Sequence, residues 1–125
     1  MHPPSSAGSH TTSADPLLNE LEWRGLLHQC TNTEALKAHL STGSRSVYAG
    51  FDPTADSLTI GNLVPIMLLL HFQRAGHKPV VVMGGGTGLI GDPSGKSAER
   101  LLLDEPAIEH NVRCQTAIFQ RALNF

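Results

Sequence analysis

The sequence has no large excess of charge, few cysteines and no long apolar run. Nine Lys and Arg against eleven Asp and Glu give a formal net charge of -2, which excludes binding of nucleic acid mainly through a basic surface. The two cysteines, Cys30 and Cys114, lie far apart, which argues against a disulfide framework and a cysteine-based zinc site. The longest strongly apolar stretch, residues 63–70, is far shorter than the roughly 20 residues of a membrane helix. We therefore expect a cytosolic chain with no membrane segment and no tightly bound, protein-ligated metal.

The first fifteen residues also lack the features of a targeting segment. They contain no basic start, no apolar block and no arginine, so residues 1–15 are expected to form a disordered tail. At the other end, the chain stops at Phe125 inside a helical pattern that has no capping signal. Residues 16–125 are therefore expected to be one folded unit and the N-terminal part of a larger, truncated domain.

Two short helices are predicted before the first strand. A helix between Asp15 and Gly25 is indicated by an Asp-Pro start, a short apolar side and a terminal glycine. A second helix, from about residue 32 to residue 41, is indicated by a capping box at residues 31–34 and by a glycine after its end.

A parallel strand–helix–strand unit follows. Residues 46–51 and 80–83 are rich in strand-forming residues, and the second run is typical of strands that are covered on both faces. Between them, an apolar helix is expected to begin near Gly61 or Asn62, with Pro65 in its first turn. This order predicts an α/β fold built on a right-handed parallel βαβ unit.

A last helix is predicted near the end of the chain. Asp104 is a suitable N-cap for it. The helical period places five apolar residues on roughly one side, and we expect that side to be buried. These residues are Ile108, Val112, Ile118, Phe119 and Ala122.

Two loops are expected to meet at the carboxyl edge of the sheet, residues 52–62 and 84–97. In open parallel sheets, ligands bind beyond this edge. The loops carry three carboxylates, Asp52, Asp56 and Asp92, and several small hydroxyl residues. A helix that starts near residue 61 would direct its free N–H groups to the same place, which suits a phosphate group.

Short phosphate-binding patterns in the second loop favour different functions. Residues 86–91 have the letters of the dinucleotide-binding G-x-G-x-x-G, which would indicate an NAD-dependent oxidoreductase, but Pro93 and Gly95 fall where the next helix should run. Residues 91–97 resemble a Walker A loop with one residue too few between its glycines. Plain turn formation by glycine and proline is the third interpretation.

Two longer strings of residues are more specific. Residues 48–62 read Tyr-x-Gly-Phe-Asp-Pro-Thr-Ala-Asp-Ser-Leu-Thr-Ile-Gly-Asn, and residues 84–94 read Gly-Gly-Gly-Thr-Gly-Leu-Ile-Gly-Asp-Pro-Ser. Together, these two strings closely resemble the bacterial and organellar tyrosyl-tRNA synthetases. These are class I enzymes with a Rossmann-type catalytic domain, and the resemblance runs from about Leu17 to the last residue.

The resemblance implies an enzyme that activates tyrosine with ATP, accompanied by Mg²⁺, and transfers the tyrosyl group to tRNA(Tyr). It also implies a homodimer whose tRNA is held mainly by C-terminal parts, and further site residues that lie beyond this sequence. We therefore expect the 125 residues alone to be inactive.

The resemblance also implies roles for individual residues. Those matching Tyr48 and Asp92 bind the phenol and the α-amino group of tyrosine. The catalytic candidates are Thr54, Thr59 and Asn62, and the ATP and adenylate site adds Gly50, Asp52 and Gly61 to them. The signature of the family, called HIGH after its consensus letters, corresponds to Pro53, Thr54, Ala55, Asp56, Ser57, Leu58, Thr59, Ile60, Gly61 and Asn62.

Thr59 and Asn62 stand where the family has the two histidines of its signature. Those histidines donate hydrogen bonds to phosphate and ribose, and a threonine hydroxyl and an asparagine amide are also donors. Two alternatives stay open at this point. Thr59 could serve only as a helix cap, and the replacement of both histidines could indicate a non-catalytic binding module.

Overall fold

The computed structural model describes residues 14–85 and 103–125. Two helices precede the first strand, and a short 3₁₀ turn leads into the helix that connects the two strands. The elements of the described residues are α1 (Ala14–Trp23), α2 (Thr33–Ser41), β1 (Ser46–Phe51), the 3₁₀ turn (Ile60–Asn62), α3 (Leu63–Arg74), β2 (Lys78–Met83) and α4 (Glu105–Ala122).

The two strands form a parallel pair. Ser46 lies opposite Lys78, and Phe51 lies opposite Met83. The backbone N–H of Gly84 donates to the carbonyl oxygen of Phe51 at 2.8 Å, so the chain leaves both strands at the same edge. The predicted parallel βαβ unit is confirmed, with α3 as its connection.

The helix α3 lies between two apolar clusters. Phe72 packs with residues of α1 and α2, including Leu18 and Leu21. On the other side, Ile66 packs in a cluster with Phe51 and Phe119, whose ring centroids are 4.6 Å apart. The apolar character of α3 follows from these two sets of contacts. Among the described residues, no helix is long and apolar enough to cross a membrane.

The helix ends follow local rules, with small shifts from the predicted caps. Asn32 adopts extended backbone angles and its side-chain oxygen accepts from the N–H of Ala35 at 3.0 Å, so Asn32, not the preceding threonine, caps α2. Asp15 lies inside the first turn of α1 and does not cap it. Gly25 and Gly76 end α1 and α3 with φ of 71° and 95°, which glycine adopts without the strain of a side chain.

Two expectations about burial differ from the structure. In β2, Val80 and Val82 are 37% and 43% exposed, so within the described residues only one face of the sheet is covered. In α4, Ile108 and Phe119 are buried as expected, whereas Val112, Ile118 and Ala122 are only half-buried, and two polar residues are buried that the pattern did not predict. The buried residues of α4 are Ile108, Asn111, Gln115 and Phe119.

Candidate functional site

A polar cavity of about 330 Å³ opens where β1 ends. Its walls come from the end of β1, the loop that follows, the 3₁₀ turn before α3 and one residue of α4. The lining residues are Gly50, Phe51, Asp52, Thr54, Ala55, Ser57, Leu58, Thr59, Asn62 and Gln115. The cavity therefore lies at the carboxyl edge of the sheet, where parallel sheets bind their ligands.

Gly50 gives this cavity open space above the strand. A Cβ atom built on Gly50 would meet no described atom within 4 Å, and its φ lies outside the left-handed region. Neither the described packing nor the backbone conformation therefore requires glycine here. A ligand that approaches the strand would use the space that a side chain would fill.

Thr59 and Asn62 form a closed hydrogen-bond network at the start of α3. The backbone N–H and the hydroxyl of Thr59 both donate to Oδ1 of Asn62, each at 2.9 Å. The N–H of Asn62 donates to the carbonyl oxygen of Thr59 at 3.0 Å. Thr59 thus occupies the N-cap position of the 3₁₀ turn, and the side chain of Asn62 reaches back to it.

Two amide side chains of α4 hold the loop that lines the cavity. Nδ2 of Asn111 donates to the carbonyl oxygen of Pro53 at 2.9 Å. Nε2 of Gln115 donates to the carbonyl oxygen of Ala55 at 2.9 Å and lies 3.4 Å from that of Asp52. Sequence analysis missed both residues, because their partners are backbone groups about 60 positions away that leave no pattern in the sequence. The only available signal is a pair of amides, four residues apart, within an otherwise apolar side.

Tyr48 lies on the same face of β1 as Gly50, opposite Val80 of β2, but does not line the cavity. It is 74% exposed within the described part of the chain. Asp92 lies outside the described residues, as do the patterns at 86–91 and 91–97. Most of the residues predicted to bind ATP therefore line one cavity. Of the two residues predicted to bind tyrosine, Tyr48 lies outside its lining and Asp92 is not among the described residues.

His77 makes a structural contact and does not line the cavity. Its side chain is buried, and its Nδ1 accepts a hydrogen bond from the N–H of Arg45 at 3.1 Å. Burial lowers the pKa of His77 below its usual value, and the charges of Arg45 and His39 lower it further. Within residues 14–85 and 103–125, no group of three or more His, Cys, Asp or Glu is placed to hold a metal ion.

A second cavity, of about 400 Å³, lies between β2 and α4. It is lined mostly by apolar residues such as Val80, Met83 and Phe119, and by none of the signature residues. Its lining offers few groups for a polar ligand, so the smaller polar cavity is the candidate site.

Comparison with known proteins identifies the family. The family model for class I tRNA synthetases (W and Y) matches residues 40–125. The tyrosine–tRNA ligase of Porphyromonas gingivalis is 52% identical over 108 residues, which are 86% of this chain and 25% of that protein. The tyrosine–tRNA ligase of Aliivibrio fischeri is 60% identical over 91 residues, which are 73% of this chain and 21% of that protein.

A solved structure gives the same result. A C-terminally truncated mitochondrial tyrosyl-tRNA synthetase from Coccidioides posadasii has a TM-score of 0.69 and 34% identity, covering 84% of this chain and 27% of that one. This likeness confirms the expected α/β fold of a Rossmann-type catalytic domain. The chain spans about a quarter of the length of the curated relatives it matches. The family match includes all the residues that line the polar cavity, and the chain therefore belongs to the class I tRNA synthetases of the tryptophan and tyrosine group.

Proposed function

We propose that this chain forms the ATP-binding part of a tyrosine–tRNA ligase. The observation that carries the proposal is the polar cavity, which collects Gly50, Asp52, Thr54, Thr59 and Asn62 at the carboxyl edge of the sheet. The names of the relatives support it, since those that match with 48% to 60% identity are tyrosine–tRNA ligases. The family match favours this function over an NAD-dependent oxidoreductase.

The reaction has two steps. A carboxylate oxygen of tyrosine attacks the α-phosphorus of ATP, the bond from that phosphorus to the bridging oxygen breaks, and pyrophosphate leaves. A hydroxyl at the 3′ end of tRNA(Tyr) then attacks the carbonyl carbon of the adenylate and releases AMP. Orientation of the reactants and stabilisation of the developing negative charge supply the catalysis. Mg²⁺ would arrive with ATP and neutralise phosphate charge.

Asn62 is the donor that we assign to the phosphate oxygens. Its Oδ1 already accepts two hydrogen bonds from Thr59, so the Nδ2 group on the other side of the amide is available to donate. Thr59 then acts through Asn62 by fixing the orientation of the amide. Asn62, which lines the cavity, immediately precedes α3, so the positive end of the helix dipole lies next to it and favours negative charge there.

The other signature residues complete the ATP side. Asp52 and Thr54 line the cavity and offer a carboxylate and a hydroxyl to the ribose and phosphate of the adenylate. Gly61 lies in the 3₁₀ turn between Thr59 and Asn62, where an added Cβ would lie 3.6 Å from the Thr59 hydroxyl. Tyr48 and Asp92 belong to this proposal as the contacts to the tyrosine phenol and α-amino group. A homodimer and a cytosolic location belong to it as well.

A chimera tests the proposal. In this chimera, the present chain replaces the matching segment of the Porphyromonas gingivalis tyrosine–tRNA ligase, to which it is 52% identical over 108 residues. We expect ATP–pyrophosphate exchange that depends on tyrosine and not on tryptophan, and no exchange by the isolated chain. Exchange that depends on tryptophan would contradict the assigned substrate. A folded chimera that binds ATP without exchange would indicate a non-catalytic binding module.

A further inference from the structure

We infer that Asn111 and Gln115 of α4 are positioning residues for the loop between β1 and α3, and thereby for the ATP-binding side chains of that loop. The inference about ATP rests on the proposed function, whereas the inference about the loop rests on the structure alone. Neither residue belongs to the signature, and each acts through the backbone of residues that do.

The two amides are buried where a helix usually places apolar residues. Asn111 is 7% exposed and Gln115 is 1% exposed, and they lie four residues apart on one side of α4. A buried amide without hydrogen-bond partners destabilises a fold. Breaking the contact would leave both the amide donors of α4 and the carbonyl acceptors of the loop without these partners. The contact therefore ties the helix and the loop to one relative position.

The hydrogen bonds hold the loop on both sides of Thr54. Asn111 binds the carbonyl oxygen of the peptide just before Thr54, and Gln115 binds that of the peptide after Ala55. Pro53 is fully buried, and its ring restricts the backbone further. Thr54 itself is exposed on the cavity side. With these two peptide groups held toward α4, the side chain of Thr54 is directed into the cavity.

The orientation of the Gln115 amide follows from its partners. Exchange of its oxygen and nitrogen would bring an oxygen atom against the carbonyl oxygen of Ala55, now 2.9 Å from Nε2, and the two would repel each other. Nε2 therefore faces the loop, and Oε1 faces away from it.

Oε1 of Gln115 is buried and has no hydrogen-bond partner within the described residues. A buried unpaired acceptor destabilises the protein, and methionine, which has a similar shape, would avoid that cost. The burial of Oε1 therefore disfavours glutamine at this position, and the donation from Nε2 to the Ala55 carbonyl oxygen is the interaction that glutamine supplies and methionine lacks.

The test uses Gln115→Met and, as an independent variant, Asn111→Leu, both in the chimera defined above. Each variant keeps the approximate shape of the side chain and removes the donor to the loop. Gln73→Met is the matched control. The Nε2 of Gln73 donates to the carbonyl oxygen of Asn124, and its Oε1 accepts from the Asn124 N–H at 3.1 Å, so this glutamine ties α3 to the segment after α4 instead of to the loop.

Two measurements decide the inference. We expect Gln115→Met to raise the KM for ATP by about tenfold, which corresponds to about 1.4 kcal/mol. The KM for tyrosine should change by less than about twofold, because no tyrosine contact is assigned to this loop. The amide hydrogens of residues 54–59 should exchange faster with solvent, since the loop opens more readily. Asn111→Leu should act in the same direction, and Gln73→Met should leave both the KM for ATP and the loop exchange unchanged.

The results that would overturn the positioning role differ from those that would overturn the proposed function. The positioning role would be overturned if amide hydrogen exchange of residues 54–59 were unchanged in both variants. It would also be overturned if the Gln73→Met control changed that hydrogen exchange by the same amount. Should Gln115→Met fail to fold, Asn111→Leu decides by the same two measurements. Loss of tyrosine-dependent ATP–pyrophosphate exchange in the unmodified chimera would overturn the proposed function. Amide hydrogen exchange of the loop would still decide whether Asn111 and Gln115 position it.

Discussion

The hydroxyl of Thr59 and the side-chain oxygen of Asn62 lie 2.9 Å apart and are joined by a hydrogen bond in which Thr59 donates. The backbone N–H of Thr59 donates to the same oxygen. Two residues of the predicted signature therefore contact each other directly. Such a pair acts as a unit, in which one member orients the other, and its two substitutions should not be additive.

A double-mutant cycle in the chimera measures this coupling. Asn62→Ala should lower the rate of tyrosyl-adenylate formation by about 10²-fold, the usual effect of removing one donor to developing charge. Thr59→Val should lower it by less, and should have little further effect when Asn62 is already alanine. Single-turnover rates and unfolding curves of all four proteins give the result. Fully additive effects on the rate would show that Thr59 contacts the phosphate independently of Asn62.

Tyr48→Phe tests the proposed contact with the substrate phenol. Loss of one neutral hydrogen bond should weaken tyrosine binding by about 0.5–1.5 kcal/mol. Discrimination against phenylalanine should fall as well, because phenylalanine lacks the hydroxyl that Tyr48 would contact. Tyr48 is 74% exposed in the described part of the chain, so the substitution should leave the free energy of unfolding nearly unchanged. Equal affinity for tyrosine in both proteins, with equal discrimination, would remove Tyr48 from the site.

Gly50→Ala and Gly76→Ala form a matched pair with opposite expected effects. Gly76 has a φ of 95°, which alanine adopts only with strain, so this variant should lose about 1 kcal/mol or more of stability. A Cβ on Gly50 would meet no described atom within 4 Å, so Gly50 should tolerate alanine in the fold, but the added methyl group would occupy the ligand space. We expect the KM for ATP to rise for Gly50→Ala and not for Gly76→Ala. Unchanged ATP kinetics in the Gly50 variant would place ATP elsewhere.

The buried His77 should make stability depend on pH. Its folded-state pKa is lowered, chiefly by burial, so the unfolded chain binds the proton more readily. Stability is then fully present above the unfolded pKa of about 6.5, falls as the pH drops below it, and levels off below the folded pKa. Protonation would also place a hydrogen on Nδ1, which now accepts from Arg45.

Denaturant unfolding at a series of pH values checks this effect, with His77→Asn as the comparison. Asparagine offers a similarly placed acceptor to the Arg45 N–H but does not titrate. The pH dependence attributable to His77 is the difference between the two profiles. Parallel profiles across this range would show that His77 does not contribute.

Local sequence patterns predicted most of the helices and strands of the described residues. The strand at 46–51 has the predicted bounds, Asp104 caps α4 through the Ala107 N–H at 3.0 Å, and the glycines at 25 and 76 end their helices. These features depend on residues within one or two turns of each other, so the sequence specifies them directly. The cap of α2 was placed one residue too early, because Thr31 and Asn32 are both suitable caps and only the backbone angles of Asn32 distinguish them.

The sequence by itself determined the family and the order of the elements, because these follow from runs of neighbouring residues. The tertiary structure decided which of those residues share a cavity, that Thr59 donates to Asn62, and that Asn111 binds the carbonyl oxygen of Pro53 across 58 positions. The buried side of α4 shows the physical reason. Hydrophobic periodicity predicts Val112 and Ile118 there, and both are only half-buried. Asn111 and Gln115 are buried because distant loop carbonyls give their amides hydrogen-bond partners.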